Sequence, residues 1–217
     1  MKIHAVEQRT PEWFRLRAGI PTASEFHSLV TPKWKVRTGE VVETYLAKKL
    51  AEKWRGDPLP GWSGSAMEQG TFLEPEAIPF FEIRTRCKIR PIGFITSDDG
   101  KIGCSPDGLF SDESGIEIKC PAPNTQVRYL LKGAIPDEYQ AQIQGSLFVT
   151  GASHWTFFSY SREFPPLILE ARPIPEAFEA LRQALEAFCE RLEAGYERLR
   201  ELYGETPPCE ATEILGF

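Results

Sequence analysis

Residues Gly103–Pro121, GCSPDGLFSDESGIEIKCP, decide the fold. The segment Gly115-Ile116-Glu117-Ile118-Lys119 alternates apolar and charged residues, which is the period of a β-strand. Ile116 and Ile118 then share one face of the strand, and Glu117 and Lys119 share the other. Just before it, Ser111-Asp112-Glu113-Ser114-Gly115 is dense in turn formers and predicts a hairpin connection. That hairpin folds the segment carrying Asp107 back alongside the strand, so Asp107, Glu117 and Lys119 converge at one end of it.

Two carboxylates and an ammonium suit phosphodiester chemistry assisted by a metal. Mg²⁺ takes hard oxygen ligands, typically one or two carboxylates together with water and substrate phosphate oxygens. Such an ion polarises a phosphodiester and activates water, while a neighbouring lysine orients that water or offsets charge on phosphorus. Taken alone, an E-x-K triplet is equally a surface hairpin with an ion pair of little energetic worth.

Working outward, 217 residues suffice for one domain spanning residues 1–217 with a real core. Hydrophobic residues make up 41% and charged residues 26%, the composition of a globular protein. No run of about 18 apolar residues occurs, and MKIHAVEQRTPEW lacks an apolar leader core, so a cytoplasmic location is expected. Cys87, Cys104, Cys120, Cys189 and Cys209 form no C-x-x-C and are odd in number, which points to free thiols. Cys104 and Cys120 bracket the hairpin and are placed to face one another. The net charge of −6 is unevenly spread. Residues 1–60 carry 11 Lys and Arg against 7 Asp and Glu, whereas residues 161–217 carry 6 against 12. A basic N-terminal third leaves room for a nucleic-acid-binding face.

Thr10–Val30 predicts two short helices around a turn. Thr10 caps the first, Pro11 opens it, Gly19 and Pro21 end it, and Thr22 or Ser24 starts the second. Arg15 and Arg17 are available for phosphate, or for a solvated face. Lys33, Lys35 and Arg37 around an exposed Trp34 fit a DNA-contacting loop and a mobile surface loop equally. Glu40–Trp54 reads as a helix and Gly56–Gly64 as a loop. Ser65–Arg84 reads as a helix kinked or divided at Pro75 and Pro79, with Gly70 and Glu74 on one face. Strands are expected at Ile89–Ile95 and Lys101–Cys104, around an Asp98-Asp99-Gly100 turn. Ile135–Thr150 is a helix carrying Tyr139, Gln140, Gln142 and Gln144. His154–Tyr160 and Pro166–Ala171 are paired strands, with His154 structural. Pro175–Tyr203 is a long amphipathic helix, and the tail beyond Gly204 offers Ile214, Leu215 and Phe217 for docking.

Pro106-Asp107 followed by Glu117-Ile118-Lys119 resembles the PD-(D/E)-x-K nuclease signature. More narrowly, C-S-P-D-G at Cys104–Gly108 with G-I-E-I-K-C-P at Gly115–Pro121 resembles the lambda-exonuclease (YqaJ-type) family of phage recombination nucleases. W-F-R-L-R-x-G-I-x-T-A-S-E-F from Trp13, G-x-x-x-E from Gly70 and Y-x-A-Q-x-Q from Tyr139 are similar to further elements of that family, in the same order. The resemblance implies an α/β, restriction-endonuclease-like core, with a central mixed β-sheet flanked by helices. It implies a Mg²⁺-dependent exonuclease, with Mn²⁺ as a substitute, acting on double-stranded DNA ends. Such an enzyme degrades the 5′-ended strand to 5′-mononucleotides and leaves 3′ single strands for annealing. It further implies a homotrimeric ring and a single-strand annealing protein as partner.

Carried over residue by residue, Asp107, Glu117 and the Ile118 carbonyl become metal ligands. Glu74 is the further acidic residue, preferred to Glu68, Glu76 and Glu82. Lys119 orients the attacking water and Gln142 positions water or phosphate, with Tyr139 as a weaker partner. Arg17, Ser24 and Ser105 hold the terminal 5′-phosphate. An endonuclease on the same fold and a catalytically silent DNA-end-binding scaffold are the alternatives.

Overall fold

The computed structural model describes residues 1–59 and 65–205, without the side chains of residues 65–72 and 74. Lys2–His4 (β1), Phe94–Thr96 (β2) and Gly103–Cys104 (β3) form an antiparallel sheet in that order. Gly108–Leu109 (β4), Gly115–Lys119 (β5), Trp155–Ser159 (β6) and Leu167–Ala171 (β7) form a second sheet, again in chain order. In it β5 runs parallel to β6, with Glu117 opposite Phe157 and Lys119 opposite Ser159, while the outer strands pair antiparallel. This sheet is mixed, and the hairpin around Ser111–Gly115 joins β4 to β5 as the turn residues predict.

Six helices surround the sheets in the described residues: Pro11–Arg17 (α1), Glu40–Arg55 (α2), Ser65–Thr85 (α3), Pro123–Lys132 (α4), Asp137–Thr150 (α5) and Pro175–Tyr203 (α6). Thr10 caps α1, its hydroxyl accepting from the Trp13 amide at 3.3 Å, with Pro11 as first residue. The α6 stripe buries Leu181, Leu185, Phe188 and Leu192.

The alternation in β5 sorts its side chains between two cores. Ile116 and Ile118 pack with Ala77 and Phe81 of α3 and with Phe158. On the opposite face Phe157 joins the larger core, which includes Phe26, Ile143, Leu147 and Phe188. Glu117 and Lys119 therefore point towards the α5 side. The hairpin needs Gly115, because a Cβ there would lie 2.2 Å from the Trp155 indole.

Several expectations are corrected. The second N-terminal helix is a 3-10 helix, Ala23–Ser28. The strand expected at Ile89–Ile95 is only Phe94–Thr96, with an isolated bridge between Arg90 and Leu109. The helix expected at Ser65–Arg84 is present as Ser65–Thr85, undivided, with Pro75 and Pro79 inside it. Trp34 is not exposed but packs, half-buried, against the larger core. Cys104, in β3 of the first sheet, and Cys120, just after β5 of the second, belong to different cores and do not face one another, and they form no disulfide. β1 and α4 carried no sequence signal strong enough to be expected. The C-terminal docking residues and part of the Gly56–Gly64 loop lie outside the described residues. Among the described residues, no helix is long and apolar enough to cross a membrane.

Candidate active site

Asp107 immediately precedes β4 and is fixed at both ends. Its amide donates to the Ile116 carbonyl at 3.1 Å, and its Oδ2 accepts from the Ile118 amide at 2.6 Å. Across the turn, Glu117 is 3% exposed, and its Oε1 lies 2.5 Å from Lys119 Nζ. The pair is thus a desolvated one, unlike a surface E-x-K. Tyr139, stacked on Phe157, presents its ring 4.9 Å from the same ammonium. Burial pulls the Lys119 pKa down, but Glu117 and Asp107, with the hydrogen bond to Glu117, more than offset it and leave the group above the usual lysine range. These interactions favour the protonated ammonium.

The Lys119 carbonyl accepts from the Tyr160 amide at 2.8 Å. Strand alternation consequently turns the Ile118 carbonyl the other way, towards Asp107. Two carboxylates acting on one ammonium, with a backbone carbonyl beside them, form an all-oxygen donor set. Its chemistry fits Mg²⁺, which keeps water and substrate oxygens in its remaining positions. Among the described residues no group of three His, Cys, Asp or Glu side chains gathers to hold a metal. The Glu74 side chain lies outside the described residues; its backbone belongs to α3, which packs against β5. Gln142 is half-buried on α5, one turn from Tyr139 and so on the same helix face. Gln144 instead is structural, donating to the Arg172 carbonyl at 2.8 Å and accepting from the Ile174 amide at 2.9 Å.

A second cluster forms around Arg17. Its Nη1 donates to Ser105 Oγ at 2.5 Å and its Nη2 to Thr22 Oγ1 at 3.4 Å, and Thr22 Oγ1 lies 3.3 Å from Ser24 Oγ. The guanidinium sits 4.1 Å over the Trp13 ring. Burial lowers the Arg17 pKa, while Glu25 opposes that shift. Arg17, Ser24 and Ser105, distant in sequence, are brought together, and Ser105 lies two residues before Asp107.

Sequence reasoning missed the residues that hold this cluster. Thr22 is buried and bridges Arg17 to Ser24. Lys49 Nζ lies 2.8 Å from Glu25 and 2.9 Å from Glu52, and Lys48 lies 2.5 Å from Glu25. Glu52 also accepts from the Gly19 amide at 3.2 Å. These ion pairs anchor the turn after α1 and the 3-10 helix to α2. The Lys49–Glu52 spacing was visible, but it looks like an ordinary helix-surface pair. Gln126 was missed too; it accepts from Ser159 Oγ at 2.5 Å and donates to the Pro165 carbonyl at 2.8 Å, tying α4 to the strand beside Lys119. A cleft of about 310 Å³ opens beside Asp107 and Ile118, walled by Glu7, Gln8, Arg9 and Gly93.

A model of the YqaJ-like viral recombinase domain matches residues 12–153. The chain belongs to the YqaJ-like viral recombinase family. The matched span runs through both clusters, from Arg17 to Gln142. Two crystal structures of an alkaline exonuclease from Laribacter hongkongensis, one in complex with dAMP, are similar to it. They have TM-scores of 0.78 and 0.79 at 29% identity, covering 89% of this chain and 97% of theirs. A phage-related exonuclease from Haemophilus somnus has a TM-score of 0.59 at 11% identity, covering 83% and 96%, a likeness of fold. No curated protein matches. The family member described here thus has the restriction-endonuclease-like fold of the alkaline exonucleases, a mixed sheet flanked by helices, and a nuclease role.

Proposed function

We propose that this YqaJ-family protein is a Mg²⁺-dependent exonuclease, with Mn²⁺ substituting, that degrades the 5′-ended strand of duplex DNA from a 5′-phosphorylated end. It releases 5′-mononucleotides and leaves 3′ single strands for annealing. The observation that carries this reading is the short chain link between the two clusters. Arg17 donates to Ser105, and two residues later Asp107 accepts from the amide of Ile118, between Glu117 and Lys119. A terminal phosphate held at the first cluster would leave the adjoining phosphodiester near the second. The dAMP bound to the Laribacter enzyme agrees with a mononucleotide product.

Asp107, Glu117 and the Ile118 carbonyl would hold the ion, with Glu74 as a further ligand. When bound, Mg²⁺ supplies Lewis acidity towards the phosphodiester and lowers the pKa of water. Lys119 stays protonated, donates hydrogen bonds to the attacking water or a phosphate oxygen, and is itself steadied by Glu117 and the Tyr139 ring. Gln142 positions water or phosphate without adding charge. Arg17 offers phosphate a planar fork, and Ser24 and Ser105 add neutral donors. A homotrimeric ring, a single-strand annealing partner and action in the cytoplasm complete the proposal.

The test is a linear duplex carrying a 5′-phosphate on one strand only, incubated with Mg²⁺ or with EDTA. Loss of the phosphorylated strand alone, and only with Mg²⁺, is expected. Equal loss of both strands would discard the Arg17 pocket. Binding without degradation would replace the exonuclease by a DNA-end-binding protein.

A further inference from the structure

Arg17, Ser24 and Ser105 are half-buried, and behind them lie charges that are enclosed. Glu25, Lys49 and Glu52 are only 6%, 4% and 5% exposed. Taking such groups out of water is costly, and well-packed apolar side chains would hold α2 against the 3-10 helix as firmly. Anchoring alone therefore does not account for charged residues at these positions.

The way the charges are shared suggests what does. Lys49 Nζ lies 2.8 Å from Glu25 and 2.9 Å from Glu52, and Lys48 Nζ lies 2.5 Å from Glu25 and 3.9 Å from Glu52. Two ammonium groups thus offset two carboxylates. Arg17 stands outside this exchange. Its hydrogen bonds go to two neutral hydroxyls, Ser105 Oγ and Thr22 Oγ1, its face lies over the Trp13 ring, and no described carboxylate pairs with it. Yet the glutamates are near enough to act on it. Burial lowers the Arg17 pKa, and of the carboxylates opposing that shift Glu25 acts most strongly and Glu52 next. The chain links are short as well. Glu25 follows Ser24 directly, its amide donating to the Thr22 carbonyl at 2.8 Å, and Glu52 accepts from the amide of Gly19, two residues after Arg17, at 3.2 Å. Without Lys49, two buried carboxylates would face one ammonium, and the surplus negative charge would act on the guanidinium. A carboxylate and a phosphate compete for the same planar fork.

We propose that Lys49 is a positioning residue of the end-binding pocket: by holding Glu25 and Glu52, it keeps the Arg17 fork available to a terminal phosphate. The inference rests on reading the Arg17 cluster as the 5′-phosphate pocket.

The test is the ratio of affinities for linear duplexes with 5′-phosphate and with 5′-hydroxyl ends, measured in EDTA so that cleavage does not intervene. Loss of a merely structural lysine would weaken both affinities and leave their ratio unmoved. In Lys49→Met the ratio should fall by about 10-fold, the worth of a charge-assisted hydrogen bond. The double variant Lys49→Met/Glu25→Gln sets one carboxylate against one ammonium again, and its ratio should return to within about 2-fold of the wild type. Glu25→Gln alone keeps both lysines and should discriminate as well as the wild type or better. An unchanged ratio in Lys49→Met, beside a wild type that discriminates, would overturn the inference and leave the pocket standing. Loss of the ratio in Glu25→Gln or in the double variant would make the network a structural support and overturn the inference, whether or not Lys49→Met folds. Equal binding of both ends by the wild type would remove the phosphate pocket itself, and the inference with it.

Discussion

At Lys119, burial favours the neutral amine, while Glu117 at 2.5 Å and nearby Asp107 favour the ammonium. The carboxylates prevail, and that balance has measurable consequences. Lys119→Met removes the counter-ion of a buried glutamate, and DNA degradation should fall by about 10²–10⁴-fold. The variant should also gain more melting temperature from added Mg²⁺ than the wild type does, because two carboxylates are left uncompensated; an equal gain would separate Lys119 from the metal-binding groups. Because the folded-state pKa is raised, the stability from this lysine is fully present below its unfolded value near pH 10.4 and is lost only as pH rises through the folded value. Degradation should therefore show no loss from Lys119 between pH 7 and about pH 10. An activity that rises with an inflection near neutrality and disappears in Lys119→Met would mark the lysine as a neutral base instead.

The geometry of the candidate site at the scale of elements depends on β5 and its hairpin. Gly115 opens the strand with the Trp155 ring where its side chain would be. Gly115→Ala should destabilise the protein by about 1–3 kcal/mol, since the indole is fully buried and has little space to move. Urea unfolding with an unchanged m-value would measure it, and an unaltered midpoint would mean that the strand tolerates displacement. The same strand was readable in advance because its alternation is strict and its turn residues are dense. Neighbouring elements were less legible. β3 and β4 are two residues each, too short to show a period. α4 starts at a proline and buries only Gln126 and Tyr139, so its sequence looks like a loop. The 3-10 helix that carries Ser24 is held by Lys48 and Lys49 from α2, a tertiary influence that no local pattern contains.

For the whole molecule, a basic N-terminal third and an acidic C-terminal helix make a net charge of −6 compatible with the proposed DNA substrate. If the Arg17 cluster holds a terminal phosphate, as proposed, covalently closed circular duplex should survive under conditions that degrade its linearised form. Degradation of the intact circle would make the protein an endonuclease on the same fold.

The proximity of Asp107, Glu117 and Lys119 was legible from the sequence alone because a hairpin is local: the turn residues and the two-residue period place these groups together with no distant segment. The strand–turn–strand core and the amphipathic α6 were set in the same way. Tertiary structure alone decided the rest. It joined Arg17 to Ser105 across 88 positions, put the ring of Tyr139 beside Lys119, and buried three charges, Glu25, Lys49 and Glu52, beside Gly19 and the 3-10 helix. It also laid the Val6–Arg9 strap across Gly93 as the wall of the cleft. These are encounters between segments far apart in the chain, and their partners are selected by shape and charge after the elements pack, which periodicity along one segment does not encode.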